Sequence, residues 1–94
     1  MRNIICRYDG EFEHYSVPIL ENNKSFYLKA KLPFSIRRFD KDDFVENAIM
    51  SILMNDGKFI VYDFVHNSKI RFFNDVTKEI KEVLYYLADK ICVM

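Results

Sequence analysis

The chain has 94 residues, half of them hydrophobic and 16% aromatic, and its fourteen Lys+Arg balance fourteen Asp+Glu. One domain fits that length, and so much apolar content excludes intrinsic disorder. Neutrality removes any general pull toward nucleic acid or an anionic membrane, so only a local patch can supply one.

Residues 2–8 and 11–17 read as a β-hairpin around Asp9-Gly10. A three-residue loop of Tyr8, Asp9 and Gly10, with Gly10 at positive φ, sets Cys6 opposite Phe12 and Arg7 opposite Glu11. Ile4, Cys6 and Phe12 then share the core face, with His14 opposite Ile4. Pro18 to Asn23 reads as a connector ending in the turn Asn22-Asn23. Residues 24–32 alternate, with Phe26, Leu28, Ala30 and Leu32 to one side and Tyr27, Lys29 and Lys31 to the other, as in a strand with one buried face. Pro33 interrupts it, and Ile36 to Phe39 is expected to form a short further strand.

Asp40 is a suitable helix N-cap, with Asp42 and Asp43 in the first turn, where negative charge is favoured. Phe44, Val45, Ala48, Ile49, Ile52 and Leu53 form one apolar helical stripe. Asn55-Asp56-Gly57 closes this helix, with Gly57 expected in the left-handed position. Residues 58–65 are dense in β-formers and read as a central strand. His66-Asn67-Ser68 is a turn, and 69–73 its partner strand. Asn74 or Asp75 should cap a last helix to about residue 91, whose stripe is Val76, Ile80, Val83, Leu84, Leu87 and Ile91.

The expected fold is a two-layer α+β sandwich: a mostly antiparallel sheet of five to six strands with two helices packed on one face, in the order ββββαββα. Segments 24–54 and 58–91 show a weak ββα similarity, which any short strand entering a capped helix would also produce. No residue pattern ties the chain to a known family.

No catalytic, metal or cofactor site is expected. His14 and His66 lie in no Cys or His cluster, and the Walker, GxGxxG, GxSxG, HExxH and EF-hand patterns are missing. Cys6 and His14 on one hairpin face would be a conceivable nucleophile and base, but nothing nearby offers an oxyanion hole. Packing explains Cys6 and Cys92 as small buried groups in a reducing compartment. Asp63 interrupts an apolar strand, so if buried it needs a partner such as Lys69 or Arg71.

Charge segregation is the main positive signal. Lys24, Lys29, Lys31, Arg37 and Arg38 fall in a stretch with no acids, whereas 40–56 holds five acids and one base. Tyr27, Lys29, Lys31, Arg37, Arg38, Asp42, Asp43, Tyr85 and Tyr86 are therefore the candidate partner-binding residues. Phe34, Phe39, Phe72, Phe73, Met50 and Met54 add apolar surplus of the kind found at protein interfaces. The expected function is a small non-catalytic protein-binding module in the cytoplasm. By analogy of class alone it suits a phage or mobile-element inhibitor of a host defence or nucleic-acid-processing enzyme, as anti-CRISPR proteins are, or a toxin-immunity protein. A nucleic acid held on the basic segment 24–38 and a homodimer are the alternatives, and no membrane partner is expected.

Overall fold

A computed structural model describes residues 3–21 and 24–93. Five strands form one antiparallel meander: β1 (Ile5–Tyr8), β2 (Glu13–Glu21), β3 (Lys24–Leu32), β4 (Phe59–Asp63) and β5 (Ser68–Lys69), hydrogen-bonded in chain order. Helix α1 (Lys41–Met54) follows β3, and α2 (Lys78–Ile91) follows β5. The two-layer α+β sandwich is as the apolar spacing required. β3, rather than residues 58–65, occupies the middle of the sheet.

The core is one cluster drawn from both layers. Tyr15, Val17 and Ile19 of β2 lie beside Ala30, Leu28 and Phe26 of β3, and Phe59 and Val61 of β4 continue the same face. Phe44, Val45, Ala48 and Ile52 of α1 cover it with Val83, Leu84, Leu87 and Ile91 of α2. Phe44 meets Phe59 edge to face, with ring centroids 5.6 Å apart. Asp40 caps α1 as expected, accepting from the amides of Asp42 (3.2 Å) and Asp43 (3.4 Å).

Several local expectations are corrected. The first hairpin has a four-residue loop, with Tyr8 opposite Glu13, Arg7 opposite His14 and Cys6 opposite Tyr15. Asp9 sets this register: its side chain accepts from the amides of Glu11 (3.0 Å) and Phe12 (2.8 Å), while its own amide bonds the Phe12 carbonyl at 3.2 Å. A side chain that ties up two loop amides lengthens the loop by one residue. Gly10 has the positive φ expected, 97°. The added residue takes Phe12 out of the ladder and turns His14 away from the core.

Pro18 lies inside β2, opposite Tyr27, and not in a connector. β1 ends its pairing at Ser16, so beyond that point β2 is an edge, where a missing N–H costs no ladder bond. The Asn22-Asn23 turn falls outside the described residues. Phe34–Arg38 forms a 3-10 helix in place of the strand that the sequence pattern predicts over 36–39. After Pro33 the backbone bonds locally, Ile36 to Pro33 and Phe39 to Ile36, each 3.1 Å. Asn55, at φ 55°, ends α1 in the left-handed region two residues ahead of Gly57, which also has positive φ, 93°. Thr77 caps α2 instead of Asn74 or Asp75, because Asp75 bonds the Val76 amide and Lys81. The strand over 69–73 shrinks to two residues, followed by one further bond from the Ile70 amide to Val61.

The two faces of β3 should respond oppositely to substitution. Leu28→Ala is expected to lower unfolding free energy by about 2–5 kcal/mol, and its neighbour Lys29→Ala to stay within about 0.5 kcal/mol, both read by urea denaturation.

Candidate binding face of the sheet

Both helices cover one side of the sheet, so the alternate residues of every strand face outward. The ladder sets them in rows. Arg7, His14 and Lys31 form the first row, and Ile5, Ser16, Lys29 and Ile60 the second. Pro18, Tyr27, Tyr62 and Lys69 form the third. Rows two residues apart along a strand are separated by about 6.6–6.8 Å. Among the described residues, no carboxylate occupies a strand position on this side. Glu13 and Asp63 both fall on the helix side.

The charged groups lie over rings. Lys29 Nζ is 5.6 Å from the centre of the Tyr62 ring, and Lys31 Nζ is 4.6 Å from that of Phe12. Tyr27 and Tyr62 are direct cross-strand neighbours, Phe64 packs edge-on to Tyr27 at 5.5 Å, and the Tyr62 hydroxyl donates to the Asn67 carbonyl at 3.1 Å. At this end, a hollow of about 590 Å3 lies among Pro18, Leu20, Ser25, Tyr27 and Phe64. At the opposite end, His14 and Asp9 pair at 2.6 Å. The Phe12 amide, the His14 ring and the Glu11 amide hold the Asp9 carboxyl well below the usual carboxylate range.

The expected binding residues divide between three places. Tyr27, Lys29 and Lys31 share the outward face, joined by Arg7, Tyr62 and Lys69, which sequence reasoning did not select. Alternation through 59–63 held the signal for Tyr62; the hairpin register hid Arg7. Arg37 is drawn into a structural knot. Its guanidinium donates to both oxygens of Glu13 at 2.8 Å, and its carbonyl accepts from the Val93 amide at 3.2 Å. Arg38 is exposed on the 3-10 helix.

Asp42 and Tyr85 meet each other on the helix side, where the hydroxyl donates to the carboxylate at 3.2 Å. That bond raises the Tyr85 pKa. Asp43 is exposed on the same turn, and Tyr86 is half-buried beneath Lys90, 5.7 Å from its ring. Lys29 and Lys31 therefore lie on the opposite layer from Asp42 and Asp43.

Nothing in the geometry assembles a catalytic pair from Cys6 and His14. Cys6 points to the helix side near Glu13, and His14 points outward. Cys6 is exposed rather than packed, and Cys92 is buried; both thiols are free. Asp63 is held by His66 (2.8 Å) and the amides of Val65 and His66, not by Lys69 or Arg71. Among the described residues no cluster of three or more His, Cys, Asp or Glu converges as a metal site would.

Glu13 is 5% exposed. Burial raises its pKa, but the Tyr15 hydroxyl and Arg37 outweigh burial and hold it below the ordinary value. A depressed folded pKa contributes stability that is complete above the unfolded value and is lost as pH falls through the folded one. Glu13→Gln should therefore cost about 1–3 kcal/mol at neutral pH, less than a fully buried pair because Arg37 reaches solvent. The gap between variant and parent should narrow as pH falls from the ordinary carboxylate range toward the depressed pKa of the folded parent; thermal melts across pH would read it. Comparison with family models, with curated proteins and with solved structures finds no match, so the fold and this face stand on their own geometry.

Proposed function

We propose that this chain is a non-catalytic binding module whose working surface is the outward face of the sheet, and that the partner it takes there is an anionic macromolecule. The observation that carries this reading is the sorting of charge by strand parity. Arg7, Lys29, Lys31 and Lys69 project from a face whose described strand positions hold no carboxylate, although the chain as a whole is neutral. The nearest acid, Asp9, sits in the hairpin loop at the rim of the face and is paired with His14. Edge protection by lysine explains positive charge on outer strands, but Lys29 and Lys31 lie on β3, the middle strand. Exposed, unpaired Cys6 suits a reducing compartment such as the cytoplasm.

A second reading, a protein partner, is favoured by a different place. A groove of about 590 Å3 runs between α1 and the 3-10 helix, with Met50, Met54 and Phe39 exposed along it. Flexible methionines suit a surface that packs against another protein. On that reading the module is an inhibitor or immunity-type protein, of phage or mobile-element kind, acting by a stoichiometric complex. Met50→Glu should then abolish a complex that Lys29→Glu leaves intact.

The primary reading is tested by retention on heparin at low salt. The parent should bind and elute as salt rises, and the Lys29→Glu/Lys31→Glu double variant should pass through. Flow-through of the parent would remove the reading.

A further inference from the structure

We infer that the ligand of the outward sheet face is a single-stranded nucleic acid lying along β3, its phosphates on Lys29 and Lys31 and its bases against Tyr27 and Tyr62; this rests on the anionic-partner reading above. Charge alone fits any polyanion. The placement of the rings narrows the choice. Tyr27 and Tyr62 are paired across β3 and β4 in the row next to Lys29, with Lys69 at the row's end. Each nucleotide brings one anion and one flat apolar face, so a row of rings beside two successive lysines offers both parts of its chemistry a partner. An acidic peptide would match the lysines, but it carries no flat ring at every residue to stack on the tyrosines.

Spacing agrees. Lys29 and Lys31 stand two residues apart on one strand face, about 6.6–6.8 Å at Cα, a separation that an extended strand's successive phosphates can follow. The hollow beside Tyr27, bordered by Pro18, Leu20 and Phe64 and carrying the Ser25 hydroxyl at its wall, gives one base a place off the flat face. A duplex keeps its base faces stacked inside and would offer the two rings nothing.

Without ligand, ammonium groups lie over rings, Lys29 over Tyr62 and Lys31 over Phe12. A base arriving on Tyr62 displaces the Lys29 ammonium from the ring toward the adjacent phosphate. An exposed cation–π contact is weaker than a base stacked on an aromatic ring, so this exchange favours the complex.

The test uses the full chain and fluorescence anisotropy at low salt, with labelled single-stranded oligothymidylate, the same sequence as a duplex, heparin as a polyanion without bases, and polyglutamate as an acidic peptide. Single strand should bind tightest. Tyr27→Leu/Tyr62→Leu should weaken single-strand binding by about tenfold or more and leave heparin unchanged, while Tyr27→Phe/Tyr62→Phe, which keeps both rings, should retain single-strand binding. Lys29→Gln/Lys31→Gln should weaken both ligands and lower the salt slope by about 0.7 for each phosphate that the variant no longer holds. If polyglutamate or the duplex binds as tightly as the single strand, or the leucine variant weakens heparin and oligonucleotide equally, the nucleic-acid inference is overturned and the anionic-partner reading stands. If no polyanion binds, both fall. Should the leucine variant not fold, the phenylalanine and glutamine variants and the ligand comparison still decide the outcome.

Discussion

The alternation of β3 is the constraint on which the molecule depends. Phe26, Leu28, Ala30 and Leu32 must face the helices, because β3 is the middle strand and supplies the centre of the core. A strand has no freedom to bury one set of side chains without turning the other set outward. Tyr27, Lys29 and Lys31 are therefore held in fixed order on the open side by the burial of their neighbours. Core and candidate binding face are two consequences of one register. A slip of one residue would place two lysines beneath α1 and α2 and four apolar side chains in water.

Two polar devices keep that register at the margins of the sheet. Asp9 builds the loop that fixes β1 against β2, and Glu13 draws Arg37 and Tyr15 together where β2 begins. Arg37 also receives the chain just after α2 through its carbonyl. The pair thus joins sheet, 3-10 helix and C-terminal helix at one point. A half-exposed arginine on a buried carboxylate is a modest source of stability. Its stronger effect is on geometry, since it positions the connection into α1. It also removes Arg37 from the charges available to a partner.

Charge follows the same division of layers. Asp40, Asp42 and Asp43 gather at the start of α1, where the helix dipole and the cap favour them, and Tyr85 of α2 closes over Asp42. The sheet face collects bases. A neutral chain thereby carries a positive side and a negative patch, and such separation orients a charged partner before contact more than it strengthens the final complex. The groove that holds the exposed Met50 and Met54 reaches Lys31 and Phe12, so it meets the sheet face at that edge.

Sequence alone determined the layers, the two helices, the Asp40 cap and the sorting of β3, because each rests on periodicity or on a hydrogen bond within a few residues. It also selected Tyr27, Lys29 and Lys31. Tertiary structure decided what joined them. Arg7 entered the face through a hairpin register that one Asp9 side chain set. Tyr62 and Lys69 entered through pairing with β3 and with each other. Phe34 to Arg38 coiled through local i to i+3 bonds, and Pro18 stayed in β2 because the β1 pairing reaches only to Ser16. Arg37 left the binding set because Glu13, twenty-four positions away, was buried without another cation. For Tyr62 and Arg37 the deciding partner is distant in the chain, and local propensity contains no term for a neighbour that only folding supplies.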